Sequence, residues 1–241
     1  MNKAFLNWSS GKDAAFALYL LRQESDILVD KLVTSVNSEL ERISMHGLRE
    51  ELLVRQAEAI GLPLHCISLP GNLSMETYNS VMRNESEKLK AEGYTHSIFG
   101  DIFLEDLRSY REKQLAEVGL EAIFPLWKKN TLDLFREFLS LGFKAITVCV
   151  NAAVLDRSFC GRILDERFLN ELPEGVDPCG ENGEFHTFVF DGPGFRKPVG
   201  FRKGEIVERG YASSGDEDQD CFSDEEQSWD TRFWYCDLLP A

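Results

Sequence analysis

Near the start of the chain stands the segment Ala4-Phe5-Leu6-Asn7-Trp8-Ser9-Ser10-Gly11-Lys12-Asp13. Ala4–Trp8 predicts a short strand, and the apolar periodicity of Asp13–Arg22 predicts a helix. The small residues between them predict a tight turn whose backbone N–H groups converge on an anion. The helix N-terminus adds partial positive charge, and Lys12 adds a full one. We call Ser9–Asp13 the phosphate loop.

The phosphate loop has one alternative interpretation, a capped turn in which Ser9 or Ser10 is merely the N-cap of the helix. It is not a Walker A loop, because G-x-x-x-x-G-K-[ST] is absent, and it is not a G-x-G-x-x-G fingerprint. The strand before it and the helix after it favour phosphate binding over the capped turn.

Strands and helices alternate through the first half of the chain, which predicts an α/β fold with a Rossmann-like parallel sheet covered on both faces. Ligands bind such sheets at the carboxyl ends of the strands, so the loops after Trp8, Val36 and Phe99 are the candidate binding loops. The predicted strands are 31–36, 64–69, 96–99 and 122–124, and the predicted helices are 47–60, 75–92 and 105–118.

The second half predicts a smaller α+β domain. We place the boundary near Lys128, which gives an N-terminal domain at 1–128 that contains the phosphate loop and a C-terminal domain at 129–241. The predicted helices there are 132–141 and 163–172, and the predicted strands are 144–150, 187–190, 206–209 and 232–238.

The net charge of −15 is concentrated in one segment. Eight of the 41 acidic residues, and no Lys or Arg, lie between Tyr211 and Asp230. We expect this acidic segment, an insertion near 212–229, to be disordered or a flexible excursion between two paired strands. The remaining charge balance argues against an extended nucleic-acid surface, which needs clustered Lys and Arg.

Six cysteines form no C-x-x-C pair and no zinc spacing, which indicates free thiols in a reducing compartment. The sequence contains no secretory h-region and no apolar run long enough to span a bilayer. We therefore expect a cytoplasmic protein without a membrane contact.

A second dense group of polar residues is Gly175–Thr187, which we call the C-terminal cluster. Glu181 and Glu184 would share a face of a helical turn, whereas Glu184 and His186 would share a face of an extended segment. Either arrangement suits a magnesium site, an ammonia pocket or proton transfer. The alternative is a surface loop with solvated acids. Cys179 has acidic neighbours that raise a thiol pKa, which favours a structural role.

The phosphate loop resembles the PP-loop, S-G-G-K-D-S, of the N-type ATP pyrophosphatases in the adenine nucleotide α-hydrolase superfamily. Members of that superfamily cleave ATP to AMP and pyrophosphate, and they use the adenylate to activate a carboxylate or carbonyl. Ser10 and Ala14 depart from the pattern, since Gly and Ser are usual there. The change at Ala14 removes one hydroxyl from the start of the helix.

The C-terminal cluster, followed by Phe190-Asp191-Gly192-Pro193, resembles the signature of the diphthine–ammonia ligase family. That family pairs an N-terminal PP-loop domain with a smaller C-terminal domain taken to bind substrate. The resemblance covers Phe5 to about Pro198 and the strand at 233–238. It includes Met45-His46-Gly47, Phe99-Gly100-Asp101-Ile102, Pro125-Leu126-Trp127 and Gly161-Arg162.

The resemblance implies roles for individual residues. Lys12, Glu181, Glu184 and His186 would be catalytic, with the last three facing substrate and ammonia. Asp101 would be an Mg²⁺ ligand. The nucleotide would be held by Ser9, Ser10, Gly11, Lys12, Asp13, His46, Gly47, Gly100 and Asp101.

The implied reaction is the ATP-dependent amidation of a carboxylate by ammonia, with diphthine on translation elongation factor 2 as the family's best-defined substrate. One alternative is a PP-loop ATP pyrophosphatase acting on a different small carboxylate or carbonyl in a bacterium. Another is a nucleotide-binding regulator without catalysis. A tRNA-thiolating enzyme is disfavoured because paired cysteines and a basic face are not visible, and partner binding through the acidic segment is a weaker alternative.

Overall fold

The computed structural model describes residues 2–23, 26–40, 42–43, 47–71, 73–211 and 231–241. The acidic segment and His46 therefore lie outside the described residues. No described helix combines the length and apolar character needed to cross a membrane.

The first sheet has six strands in the described part of the chain, five of them parallel. The parallel order is β4-β2-β1-β5-β6, and the two-residue β3 pairs antiparallel with the end of β2. The strands are β1 (Asn2–Asn7), β2 (Ile27–Asn37), β3 (Arg42–Ile43), β4 (Leu64–Leu69), β5 (His96–Ile98) and β6 (Glu121–Ile123).

Four helices cover this sheet, two on each face. The alternation of β1 separates the faces: Leu6 joins the core beneath α1 and α2, whereas Phe5 joins the core beneath α3 and α4. The helices are α1 (Lys12–Gln23), α2 (Glu50–Ile60), α3 (Met75–Ala91) and α4 (Glu105–Glu117). The doubly covered parallel sheet confirms the predicted Rossmann-like α/β fold.

The second sheet is antiparallel, with the order β8-β7-β10-β9. It completes the smaller α+β part that the sequence predicts. Its elements are α5 (Thr131–Ser140), β7 (Lys144–Asn151), α6 (Glu166–Glu171), β8 (Phe185–Asp191), β9 (Phe201–Tyr211) and β10 (Thr231–Pro240). A single 3₁₀ turn, Arg157–Phe159, follows β7.

The two sheets share one apolar core. Phe16 of α1 lies with its ring 6.3 Å from that of Phe138 and 6.3 Å from that of Phe143, on the far side of the proposed boundary. Phe138 and Phe143 are themselves stacked, with centroids 4.7 Å apart. The second half thus packs directly behind the phosphate loop, while the division at Lys128 stays a prediction.

Two predicted helices are at least three residues shorter in the structure. The second helix begins at Glu50 rather than Gly47, because Gly47 has a φ of +65° and Arg49 is extended. The helix predicted at 163–172 is only Glu166–Glu171, because the Asp165 side chain accepts a hydrogen bond from the N–H of Phe168 and starts the helix there.

Candidate active site

The phosphate loop lies where the strand order of the parallel sheet reverses. The chain runs outward from β1 through β2 to β4, then returns to the other side of β1 for β5 and β6. The loops after β1 and β5 consequently diverge and leave a crevice between them, the usual ligand position in such sheets. Asn7 ties the two strand ends together, since its side-chain N–H donates to Ser97 Oγ at 2.8 Å and to the Ile98 carbonyl at 2.9 Å.

The backbone of the phosphate loop is held from two sides. Ser10 has a φ of +69°, in the left-handed region that favours glycine. Its carbonyl accepts hydrogen bonds from Gln56 Nε2 and from the Val189 N–H of β8, both at 3.0 Å. The sharp turn is therefore maintained by α2 and by the second sheet together.

The two loop serines point in different directions. Ser9 lines the cleft, whereas Ser10 is not among the described residues that do. Ser10 is completely buried, and its hydroxyl has no hydrogen-bond partner among the described groups. Both serines are predicted nucleotide-binding residues, and the structure brings the Ser9 side of the loop to the cleft.

Lys12 starts α1 at the floor of the cleft. Its N–H donates to Thr187 Oγ1 at 3.0 Å, and its Nζ lies 2.5 Å from Asp13 Oδ1. Burial lowers the pKa of Lys12, but the negative charge of Asp13, reinforced by Glu181, outweighs it and raises the pKa overall. Lys12 is thus a buried, permanently charged group.

The loop after β5 touches the start of α1. A Cβ atom on Gly100 would lie 2.9 Å from the backbone of Asp13 and Ala14, which is too close for any side chain. Gly100 therefore permits close packing, and it places Asp101 beside the phosphate loop. The Asp101 carboxylate faces Arg111 of α4, with Oδ2 2.9 Å from Nε and Oδ1 3.2 Å from Nη2.

Glu184 is enclosed by the C-terminal cluster. It is 6% exposed, and it is not among the described residues that line the cleft. One carboxylate oxygen accepts from the Asp177 N–H at 3.0 Å and from Asn182 Nδ2 at 3.1 Å. The other accepts from the Asn182 N–H at 2.9 Å. The carboxylate thus holds the shape of the loop.

Glu181 takes the opposite direction and lines the cleft. Its Oε1 accepts hydrogen bonds from the N–H groups of Ile102 at 2.6 Å and Phe103 at 3.4 Å, in the loop after β5. Burial, with the negative charge of Asp13, raises its pKa from 4.5 to about 7. Neither predicted arrangement, both glutamates on one helical face or Glu184 with His186 on one strand face, is present.

His186 and Cys179 also line the cleft. Burial, together with the positive charge of Lys12, lowers the pKa of His186 to about 4, so this imidazole is neutral at physiological pH. Burial raises the pKa of Cys179 to about 12, and its thiol contacts the Thr131 carbonyl at 3.3 Å. Cys179 is therefore a thiol and not a thiolate, as its structural interpretation requires.

The cleft between the two sheets has a volume of about 1320 Å³. The parallel sheet supplies one wall and the faces of β8, β9 and β10 supply the other. Of the predicted site residues it brings together Ser9, Gly11, Lys12, Asp13, Gly47, Gly100, Asp101, Glu181 and His186.

Gly47 sits at the rim of this cleft, and its neighbour His46 lies outside the described residues. The Gly47 carbonyl accepts a hydrogen bond from Arg42, whose guanidinium also contacts Asp237 of β10. The ring of Tyr235 packs so closely that a Cβ on Gly47 would be 2.9 Å away. The rim thus connects the two sheets.

The geometry gives limited support to a magnesium site. Across the described ranges, no three His, Cys, Asp or Glu side chains are grouped to hold a metal ion. Asp101, the predicted ligand, is paired with Arg111 instead. Carboxylates of Asp13, Asp101 and Glu181 are nevertheless the donors that Mg²⁺ prefers when one or two of them join phosphate oxygens. The residues present fit an ion that arrives with a nucleotide.

Sequence reasoning missed Thr187, Gln56 and Arg111. Thr187 belongs to the quoted C-terminal cluster, and strand alternation from the buried Phe185 would have indicated that it points inward. Gln56 is a completely buried polar side chain in an otherwise apolar stripe of α2, which is a weak signal. Nothing in the local pattern singled out Arg111 from the other charges of α4.

The sequence matches two models of one protein family. Residues 1–122 match the diphthamide synthase N-terminal domain, and residues 130–214 match the diphthamide synthase C-terminal domain.

Individual relatives carry a related name, diphthine–ammonia ligase. The human protein is 32% identical over 167 residues, which covers 63% of this chain and 62% of the relative. The mouse protein is 33% identical over 170 residues, with the same shares. The protein of Schizosaccharomyces pombe is 28% identical over 228 residues, which covers 86% of this chain and 37% of the relative. The chain thus spans less than two thirds of the length of these relatives, and by its two matched domains it belongs to the diphthamide synthase family.

Proposed function

We propose that this protein is an ATP-dependent amide ligase that adenylates a substrate carboxylate and transfers ammonia to it. The relatives' name, diphthine–ammonia ligase, supports the joining of ammonia to an acceptor. The observation that carries the proposal is the buried Lys12 at the start of α1, in a switch-point crevice that is closed by Thr187 of the second sheet.

The first step is the attack of a carboxylate oxygen on the α-phosphorus of ATP. The bond from that phosphorus to the oxygen bridging the α- and β-phosphates breaks, and pyrophosphate leaves with the bonding electrons. Negative charge grows on the leaving group, so Lys12 and the N–H groups at the start of α1 stabilise the transition state electrostatically. Mg²⁺, when bound with the nucleotide, would neutralise part of the phosphate charge.

The second step is the capture of the acyl-adenylate. Ammonia attacks the acyl carbon, AMP leaves, and the nitrogen gives up one proton to become the amide. At neutral pH ammonia is mostly protonated to ammonium, which is not nucleophilic, so a proton acceptor is needed. Glu181 suits this role because it lines the cleft with a pKa of about 7. His186, whose pKa is about 4, is a much weaker base and suits substrate contact.

The negative charge of the cleft supports the same chemistry. Asp13 and Glu181 lie near Lys12, and Asp101 lies near both of these carboxylates, so the cleft does not attract a bare polyphosphate strongly. This negative charge favours a nucleotide that is accompanied by a cation. It also attracts an ammonium ion as the second substrate. Diphthine is the acceptor that the relatives' name favours. Elongation factor 2 is the carrier of diphthine that the sequence resemblance implies.

Product analysis tests the proposal. The protein is incubated with ATP labelled in its α-phosphate, ammonium, and either diphthine-containing elongation factor 2 or small carboxylates. We expect AMP and pyrophosphate in equal amounts and an amide that forms only with ammonium. Formation of ADP, or tight ATP binding without turnover with every acceptor, would contradict the ligase assignment and favour a regulator.

A further inference from the structure

Arg111 is a cation of the cleft that the proposed mechanism does not use. It lies on α4, lines the cleft, and is 28% exposed at its side chain. Its guanidinium lies over the ring of Phe99, 4.3 Å from the centroid. Stacking on an aromatic face fixes the plane of a guanidinium and leaves its N–H edge to meet an oxyanion.

The present partner of Arg111 is imperfectly placed. Nε of Arg111 and Oδ2 of Asp101 are 2.9 Å apart, yet both atoms are buried without a hydrogen bond to any described group, because their angles do not permit one. Nη2 donates to Asp101 Oδ1 at 3.2 Å, which is long for a charge-assisted bond. A half-buried pair with this geometry leaves both charges incompletely compensated.

The position of the pair relates it to the phosphate loop. Gly100 touches the backbone of Asp13 and Ala14, so the next residue, Asp101, lies beside the Lys12–Asp13 pair. Burial raises the pKa of Asp101 despite the opposing positive charge of Arg111, and the negative charge of Asp13 adds to the increase. The Asp101–Arg111 pair therefore lines the same cleft as Lys12 and Asp13.

We propose that Arg111 is a second anion-binding group of the cleft, which Asp101 holds in the absence of ligand and which exchanges that carboxylate for an oxyanion of the ligand. The planar fork of a guanidinium recognises the paired oxygens of a carboxylate or a phosphate. Two oxyanions meet in the proposed reaction, the leaving pyrophosphate and the acyl carboxylate, and the experiment distinguishes them. The inference rests on the proposed function only in the choice of these two oxyanions as ligands.

Equilibrium binding tests the exchange. Inorganic pyrophosphate with Mg²⁺, and separately acetate, are titrated into the wild-type chain and into Arg111→Gln, Arg111→Lys and the double variant Arg111→Gln/Asp101→Asn. We expect Arg111→Gln to weaken binding of one probe by about tenfold to hundredfold, the value of a charge-assisted pair. Arg111→Lys restores charge without the fork and should recover only part of the loss.

The double variant separates anion binding from mere neutralisation of Asp101. If Arg111 contacts the ligand, removing Asp101 as well leaves binding weak, whereas full recovery of affinity would overturn the proposal. The proposal would also be overturned if Arg111→Gln bound each probe as tightly as the wild type does. Failure of the wild type to bind either probe would overturn it as well. Loss for pyrophosphate assigns Arg111 to the leaving group, and loss for acetate assigns it to the acyl carboxylate.

Arg108 supplies a matched control. It lies one turn earlier on α4, pairs with Glu112 at 2.7 Å, and stacks on Trp127 outside the cleft lining. Arg108→Gln should leave both affinities unchanged. Because binding needs no turnover, wild-type binding that depends on Arg111, in a protein that forms no AMP, would refute the ligase and leave this inference standing.

Discussion

The phosphate loop and the C-terminal cluster face each other across the cleft and use their polar residues differently. In the phosphate loop, the carbonyl of Ser10 is bound by distant groups, the Gln56 side chain and the Val189 N–H. In the C-terminal cluster, Asp177 and Glu184 bind N–H groups of the cluster itself. The first loop is thus shaped from outside, and the second largely shapes itself.

The difference shows that a dense group of acids is not equivalent to a group of catalytic acids. The Glu184 carboxylate accepts hydrogen bonds from the turn that it stabilises. Glu181, three residues earlier, lines the cleft and binds the loop after β5 instead. One carboxylate maintains the backbone so that the other is presented. Four substitutions test this division, and the one with the largest expected effect comes first.

Lys12→Ala should reduce kcat/KM for AMP formation by about a hundredfold to a thousandfold, the usual loss for one electrostatic contact to a developing anion. Labelled-ATP turnover measures this effect. Lys113→Ala, an exposed lysine on α4, is the control and should retain full activity. Wild-type turnover by Lys12→Ala would refute the role of the phosphate loop.

Glu184→Gln should lower the free energy of unfolding by about 2 kcal/mol, because the new amide N–H₂ would face a backbone N–H donor in a buried site. In the wild type, the N–H groups of Asp177 and Asn182 donate to the Glu184 carboxylate. Urea unfolding measures the loss, and exposed Glu174→Gln in the same region is the control. Unchanged stability with lost turnover would instead make Glu184 catalytic, as the sequence resemblance implies.

Glu181→Gln should stabilise the protein relative to wild type by about 1–2 kcal/mol near pH 8 and leave it unchanged below about pH 4.5. The pKa of Glu181 is raised from 4.5 to about 7 in the folded state, so its proton-linked stabilisation is complete below 4.5 and is lost as pH rises through 7. Glutamine does not ionise, so the stability of the variant has no such decrease as pH rises.

Unfolding of both proteins across this pH range measures the difference. His186, whose pKa is lowered from 6.5 to about 4, destabilises the fold as pH falls through the same range. Because it does so in wild type and variant alike, its contribution cancels in the comparison. A constant difference between the two proteins at all pH values would show that the pKa of Glu181 is not raised.

Ser10→Gly should raise the free energy of unfolding by about 0.5–1 kcal/mol. Relief of the left-handed conformation gives about 1–2 kcal/mol, and the greater freedom of glycine in the unfolded chain offsets part of it. Ser10 has a φ of +69°, whereas Ser9 is not among the described residues with positive φ. Ser9→Gly is therefore the control and should not stabilise, and an equal gain in both variants would exclude backbone strain as the cause.

Much of the fold could be predicted because its signals are local. The strand Leu64–Leu69 and the start of the helix at Met75 agree with the predicted bounds, since apolar periodicity and the Ser74 cap mark them in the sequence. Strand β9 is longer than predicted, Phe201–Tyr211 instead of 206–209, because pairing with β10 extends it over residues that have no strand pattern of their own.

The sequence alone determined that a strand, a glycine turn and a helix bring Lys12 to the carboxyl edge of a parallel sheet, because each of those elements is specified by neighbouring residues. It could not determine which acids of the C-terminal cluster reach the cleft. That depends on which N–H groups each carboxylate meets, and on contacts such as Lys12 with Thr187, 175 residues apart in the chain. Only the packing of the second sheet against the phosphate loop decides those contacts, since a hydrogen bond forms between groups that folding brings together.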